Sequence, residues 1–445
     1  MSTHQKSSFI VLVCIVAALG GLLFGFDTAI ISGTIPYIRS YFGLDEFGLG
    51  WAVGCILLGC AIGALAAGKV ADRYGRRYVL FACAILFALS GIGVALSHHL
   101  YLFIFFRLAG GVGVGAAAMV SPMYIAETAP AGWRGRLVAL YQLAIVTGIL
   151  LAYFSNYILA DTGSNNWRWM FGSQVLPSVL FLVLLFFVPE TPRWLIRQQR
   201  LSEAMKVLHK TLGSLLAESE AREIQKSFAE QKSPALSILF RRPYLPVLII
   251  GISIAVFQQV TGINAILYYA PVIFSQTGVG AAGSLGQTIA IGVVNVLSTF
   301  IAIVLVDRTG RRRLLLAGSA LMFLSLSVVA LCFSYRYFQH YIVLVFTLLY
   351  TGAFGCTLGA VTWVYLSEIF PNRIRSLALS IATLALWLAD FIVTWSFPVL
   401  SSKAGTSFTL LIYALFCALA FTYVYIRVPE TKGRSLEEIE TLFIH

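Results

Sequence analysis

The fold class predicted from the sequence is an all-α integral membrane protein, with twelve transmembrane helices in two pseudo-symmetric six-helix bundles. Three observations predict it. Hydrophobic residues fill 59% of the 445 positions and charged residues 11%, where a soluble domain carries about 25% charged residues. A spanning helix needs roughly 20 mostly apolar residues. Twelve such stretches begin near Phe9, Trp51, Tyr78, Leu100, Leu137, Met170, Tyr244, Leu285, Leu314, Tyr341, Leu377 and Ser407. The third observation is a duplication in register. Asp72 to Arg77 reads DRYGRR and Asp307 to Arg312 reads DRTGRR. YIAETAP with WRGR, from Tyr124 to Arg136, is answered by YLSEIFP with RIRS, from Tyr365 to Ser376. PETPRW from Pro189 returns as PETKGR from Pro429. The spacings agree closely, at 235 residues from Asp72 to Asp307, 241 from Glu127 to Glu368 and 240 from Pro189 to Pro429. Internal repeats fix architecture, and parallel repeats of membrane helices are one way in which transporters are built.

The formal net charge is +12, and its placement argues against nucleic acid as a partner. With the loops assigned alternately to two sides, 26 of the 31 Lys and Arg residues fall on one side. They sit at Lys6, in both cassettes, in both RGR or RIRS segments, between Pro189 and Arg242, and from Arg427 onward. The other side has Arg39, Arg168, Arg336 and Lys403, and Arg107 lies inside a span. By the positive-inside rule the loaded side, with both termini, is cytoplasmic. A multi-pass protein of a plasma or bacterial inner membrane is expected, with the lipid bilayer as partner, anionic lipid on the basic side, and the chain working as a monomer.

Taken in chain order, the first apolar run resembles a signal peptide but has no small-residue cleavage site and carries Asp27 before continuing, so it is read as the first helix. Gly54, Gly59, Gly63 and Gly68 in the second span, and Gly110, Gly111, Gly113 and Gly115 in the fourth, let backbones approach closely. GGVGVG has no strand before it, so a packing role is preferred to nucleotide binding. The long polar stretch from Pro189 to Pro243 shows short amphipathic repeats and reads as a solvated connector. The expected divisions are therefore an N-terminal bundle (1–188), a cytoplasmic linker with short helices (189–243), a C-terminal bundle (244–428) and a tail (429–445). All seven cysteines lie in apolar runs without CxxC spacing, so they read as core residues rather than metal ligands. No metal, cofactor or enzymatic activity is expected, since no membrane-depth His or activated nucleophile is present.

Among Asp, Glu, Lys and Arg, only Asp27, Arg107 and Asp390 fall deep within spans. Intramembrane charges are functional by default. Asp27 and Arg107 have opposite signs and share a half, which makes them the natural pair for proton coupling; a purely structural lock is the alternative. Neutral polar residues gather at Gln142, Gln258, Gln259, Asn264, Tyr268, Tyr269 and Asn295. Gln258, Gly262 and Tyr269 recur near one-turn intervals, which suggests a polar helical face toward a cavity. Amides both donate and accept hydrogen bonds, which suits a neutral polyhydroxylated ligand, and Trp363 offers an apolar platform for a sugar face. Interhelical hydrogen bonding alone is the alternative, for Asn295 in particular. At the cytoplasmic ends Asp72, Arg76, Glu127 and Arg134 match Asp307, Arg311, Glu368 and Arg375, and opposite charges there are expected to latch the halves as a gate.

GGLLFGFD, the two DRxGRR cassettes, PETPRW, QQVTGIN, SEIFP and PETKGRS occur in one order over nearly the whole chain. In this the chain resembles the sugar porter family of the major facilitator superfamily, in particular bacterial proton-coupled sugar symporters and glucose facilitators. The resemblance implies alternating access by rocking of two six-helix bundles. It also implies proton coupling at Asp27 and Arg107, where facilitators carry Asn at the acid position. Sugar contacts are implied at Gln142, Gln258, Gln259, Asn264, Asn295 and Trp363, an outer gate at Tyr268 and Tyr269, and an inner salt-bridge network including Glu127, Arg134, Glu368 and Arg375. Three positions depart from the pattern: Leu386 precedes Trp387 where Gln or Asn is usual, Asp390 stands where Asn is frequent, and Ala360 replaces a helix-bending Gly-Pro pair. The expected function is import of a monosaccharide (hexose, pentose or related polyol) by proton symport. Facilitated diffusion and a transporter-like sugar sensor are the alternatives.

Overall fold

A computed structural model describes residues 3–130, 133–230, 236–241, 244–371, 374–433 and 438. Most of the expected tail, positions 231–235 and 242–243 of the linker, and the side chains of Arg134 and Asp307 lie outside what is described. Twelve apolar helical spans follow one another: α1 Phe9–Phe42, α2 Glu46–Tyr74, α3 Arg76–Leu96, α4 Leu100–Thr128, α5 Gly135–Leu159 and α6 Asn166–Phe187, then α7 Leu245–Ser275, α8 Ala281–Val306, α9 Arg311–Tyr335, α10 Ile342–Ile369, α11 Arg375–Ala404 and α12 Thr406–Arg427. Each begins within five residues of its expected start. No strand occurs among the described residues. The protein is thus a multi-pass membrane protein of the predicted class.

The turns follow local chemistry. Gly43 ends α1 at a φ of 62°, and the Asp45 side chain accepts from the Gly48 amide at 2.7 Å to start α2, an N-cap satisfying a donor the helix itself leaves open. Gly75 and Gly310 hold φ values of 105° and 98° at the two α2–α3 and α8–α9 corners, a backbone region that other residues rarely enter.

Four spans are not continuous helices. α1 is interrupted at Ile30, α6 at Gln174, α7 at Thr261 and Gly262, and α10 passes through a π-helical turn from Gly355 to Gly359. The interruption of α7 corrects the expectation of one polar face running from Gln258 to Tyr269, because Gly262, at a φ of 92°, resets the helical phase between them. A broken membrane helix must find partners for the backbone groups it frees. Asn156 Nδ2 donates to the Ile30 carbonyl at 3.0 Å, and the Tyr350 hydroxyl donates to the Thr261 carbonyl at 2.9 Å.

Packing is pseudo-symmetric. α2 packs on α4, α1 on α5 and α3 on α6, as α8 packs on α10, α7 on α11 and α9 on α12. The halves meet through α2 with α11 and α5 with α8. At the ends away from the basic loops the contact is close: a Cβ on Gly50 would fall 2.1 Å from the Trp395 carbonyl oxygen, and Phe47 meets the Trp395 ring at 5.1 Å. Toward the basic ends Ala61, Ala64, Leu65, Met119, Ser380, Thr383 and Leu384 of α2, α4 and α11 line a small crevice. Leu176, Val179, Leu180, Val183, Phe186 and Phe187 of α6 are exposed, an apolar surface suited to lipid rather than water. Between the halves, helices Pro192–Arg197, Leu201–Thr211 and Ser214–Glu230 share a small core of Trp194, Leu195, Ile196, Ala204, Val207, Leu208, Ala217 and Ala221.

Candidate functional site

α1 and α4 bring Asp27 and Arg107 together at complete burial. Arg107 Nη1 donates to Asp27 Oδ1 and to the Asp27 carbonyl, both at 2.9 Å. Asp27 Oδ2 and Arg107 Nε and Nη2 have no hydrogen-bond partner among the described residues. The guanidinium carbon stands 5.6 Å from the centroid of the Phe171 ring on α6, a cation–π contact that adds to the holding of the charge. Gly110, one turn beyond Arg107, faces the carboxylate: a Cβ there would fall 2.9 Å from Asp27 Oδ2 and 2.4 Å from Ser90 Oγ. Sequence reading treated this glycine as packing alone. Its absent side chain leaves the space that the free carboxylate oxygen occupies. Buried pairs of this kind are strongly coupled, since removing one partner leaves an uncompensated charge.

The amide residues of the second half gather where the helices break. Gln258 Nε2 donates to the carbonyls of Leu358 and Gly359 at 3.1 and 3.2 Å. These carbonyls sit at the end of the π turn, so Gln258 ties α7 to α10 immediately before Ala360. Ala360, which replaces the family's helix-bending pair, directly follows that turn, and π turns frequently mark functional sites. Gln258 Oε1 is buried without a partner. Asn264 Nδ2 donates to Gln259 Oε1 at 3.0 Å and to Asp390 Oδ2 at 2.7 Å, and Thr394 Oγ1 donates to Asp390 Oδ1 at 3.2 Å.

The remaining expected contacts are more dispersed. Gln142 is half-buried on α5. Asn295 is buried on α8 beside the π turn, where a Cβ on Gly355 would lie 3.4 Å from its Oδ1. Trp363 is 38% exposed, whereas Trp387 is buried and meets Phe24 of the other half at 5.7 Å. Leu386 is buried beside it. Tyr268 and Tyr269 are both buried; Tyr269 donates to the Thr394 carbonyl at 3.1 Å and stacks on Phe397 at 4.7 Å.

At the basic ends the repeated motifs assemble twice in one pattern. Arg76 Nη2 pairs with Glu127 at 2.9 Å and Arg311 Nη2 with Glu368 at 2.8 Å. Asp72 holds Arg76 at 3.3 Å and Arg197 at 2.8 Å. Each glutamate also accepts from a threonine, Thr191 at 2.7 Å and Thr431 at 2.6 Å. The glutamates of PETPRW and PETKGR close the units. Glu190 accepts from the Arg76 and Arg77 amides at 3.1 and 3.0 Å, and Glu430 from those of Arg311 and Arg312 at 2.9 and 3.1 Å. Each carboxylate caps the first turn of the helix after the corner glycine, where charge and open amides favour an anion. Burial pushes the Glu190 carboxyl up from the ordinary glutamate value, against the pull of the Thr191, Arg77 and Arg76 amides and the Arg76 charge. The expectation was a latch between halves; Arg76–Glu127 and Arg311–Glu368 each close within one half, and Asp72 reaches Arg197 of the linker. Arg375 Nε donates to the Phe370 carbonyl at 3.1 Å. Glu190, Thr191, Glu430 and Thr431 escaped the sequence-based site, although the PET repeat was their signal.

With this geometry established, comparison with known proteins is direct. Residues 13–443 match the family described as "Sugar (and other) transporter". The chain is 39% identical to the D-xylose-proton symporter of Escherichia coli (strain K12), an alignment spanning 100% of this chain and 97% of that protein. It is 38% identical to the arabinose-proton symporter of Bacillus subtilis (strain 168), with the same coverage. Among solved structures, the inward-open conformation of the xylose transporter XylE from E. coli superposes with a TM-score of 0.88 at 39% identity, covering 98% of this chain and 100% of that one. XylE bound to 6-bromo-6-deoxy-D-glucose superposes at 0.83, covering 98% of this chain and 100% of that one. A match over almost the whole length, with this identity and coverage, makes the chain a transporter rather than an enzyme and a member of the sugar porter family of the major facilitator superfamily.

Proposed function

We propose that the chain imports a monosaccharide, a hexose, pentose or related polyol, by proton symport through alternating access. The observation that carries this is the Asp27–Arg107 pair, fully buried yet sharing a single carboxylate oxygen, with Asp27 Oδ2 and Arg107 Nη2 left unpartnered. An arginine that moves away withdraws the charge that stabilises a carboxylate in a dry site, so conformation governs whether Asp27 holds a proton. One proton moving through 100 mV releases about 2.3 kcal/mol, which at one-to-one coupling sustains roughly a 50-fold solute gradient. The names of the relatives, proton symporters of D-xylose and arabinose, support the same reading.

Gln142, Gln258, Gln259, Asn264, Asn295 and Trp363 are the proposed sugar contacts, and Tyr268 and Tyr269 the outer gate. The packed outer ends and the crevice toward the basic ends support an inward-facing state. In that state Asp72, Arg76, Glu127 and Arg134, and Asp307, Arg311, Glu368 and Arg375, belong to the open cytoplasmic gate, whose charges reach across only when it closes. The proposed divisions remain 1–188, 189–243, 244–428 and 429–445, working as a monomer in a plasma or bacterial inner membrane with both termini cytoplasmic.

Proteoliposomes with an imposed proton gradient test this with D-xylose, L-arabinose and D-glucose. The wild-type protein concentrates at least one of them, a protonophore abolishes the accumulation, and Asp27→Asn exchanges labelled sugar without concentrating it. A wild-type protein that equilibrates sugar but never accumulates it is a facilitator instead. Sugar binding without any exchange marks a sensor.

A further inference from the structure

We infer that Asp390 is a positioning residue that fixes which atoms of Gln259 and Asn264 face the substrate, and thereby sets the pattern of sugar hydroxyls the site accepts. The inference rests on the reading of those two amides as sugar contacts. Asn264 gives Nδ2 to two acceptors, Asp390 Oδ2 at 2.7 Å and Gln259 Oε1 at 3.0 Å. A side-chain amide has one donating and one accepting end, and which way it points is decided by its neighbours.

A carboxylate decides it, because an ionised carboxylate only accepts. With a proton on Oδ1, toward Thr394 Oγ1 at 3.2 Å, Oδ2 still accepts, so Asn264 keeps its orientation in either state. Both Nδ2 hydrogens are then engaged, and Asn264 offers a ligand only its Oδ1. Gln259, with one lone pair of Oε1 engaged by Asn264, offers its Nε2 hydrogens and the remaining lone pair. The pair presents an acceptor beside a donor in fixed order.

The placement supports this division of labour. Asp390 is 1% exposed, whereas Asn264 is half-buried, so the acid holds the amide from behind. Asn264 follows Gly262 at the α7 break, and the Tyr269 hydroxyl bond to the Thr394 carbonyl at 3.1 Å fastens the same stretch of α11 to α7. Leu386, one turn earlier on α11, carries no polar atom to compete for the amide. An asparagine at 390 can present either end of its own amide. Asn264 and Gln259 can then reverse together, and the donor–acceptor order is no longer unique.

The test is counterflow in proteoliposomes, with KM and Vmax measured for D-xylose, L-arabinose, D-glucose and D-galactose. Asp390→Asn narrows the spread of KM across these sugars by about tenfold while Vmax stays within about twofold, because a site built to pair each polar group discriminates more sharply than one that adapts. Asp390→Glu, which keeps an acceptor-only group, preserves the ranking, and Asp390→Gln, matched to it in size, does not. That second pair gives the same comparison should the Asn variant fail to fold. An acid with a merely structural role lowers Vmax for all four sugars alike and leaves their KM ratios intact. Unchanged ratios in both amide variants overturn the inference, provided Asn264→Ala alters them. If Asn264→Ala also leaves every KM unchanged, the sugar-binding reading of the cluster fails first.

Discussion

At Asp27 a missing side chain matters as much as the arginine. Gly110 leaves the space in which Asp27 Oδ2 sits, since a methyl group there would lie 2.9 Å from that oxygen and 2.4 Å from Ser90 Oγ. Gly110→Ala therefore shifts the carboxylate against Arg107. Proton-driven accumulation should fall by roughly tenfold or more, an ångström of misplacement being able to cost about 100-fold, while counterflow is retained. Equal accumulation by the alanine variant and the wild type would separate Gly110 from coupling. The Asp27–Arg107 contact was legible in the sequence because intramembrane charges are rare and these two have opposite signs in one half. Gly110 was not, because its contribution is empty space. Gln258 was legible as a polar residue facing inward but not as the donor to Leu358 and Gly359, since a regular helical period hides a π turn.

At the scale of elements, the chemistry is organised by interruptions and caps. α7 and α10 each depart from regular helix, and Gln258 joins them where they do. Twelve spans could be counted from apolar runs, but the breaks could not: Gly262 packs against Tyr413, and the turn from Gly355 to Gly359 against Ser298 and Gly318, all elsewhere in the fold. The corners at the basic ends teach the converse. The PET motifs were visible as repeats, yet their role needed the tertiary contact that brings Glu190 to Arg76 and Glu430 to Arg311. Glu190→Ala and Glu430→Ala each remove a side-chain cap, a loss of about 0.5–2 kcal/mol. Each should lower the thermal unfolding midpoint in detergent, and the pseudo-symmetry of the two units predicts shifts of similar size. A shift for one variant only would mean that the corners are not equivalent.

For the whole molecule, duplication supplies the frame and asymmetry supplies the activity. The two halves share corner glycines, Arg–Glu pairs and capping glutamates, whereas the buried acid–arginine pair belongs to the first half and the linked amides with Asp390 to the second. Twelve spans and two bundles followed from composition and repeats alone. The packing of the outer ends against the crevice near the basic ends did not, because a sequence common to both conformations carries no mark of either. In the proposed symport, coupling joins the Asp27–Arg107 pair of the first half to sugar contacts that lie mostly in the second, through the relative movement that alternating access provides. The most direct measurement is sugar-driven proton movement. When D-xylose or another accepted sugar is added outside proteoliposomes without an imposed gradient, the external medium should become more alkaline with the wild-type protein. It should not with Asp27→Asn, although that variant still exchanges labelled sugar. Alkalinisation of equal size with Asp27→Asn would contradict the assignment of Asp27 as the proton carrier.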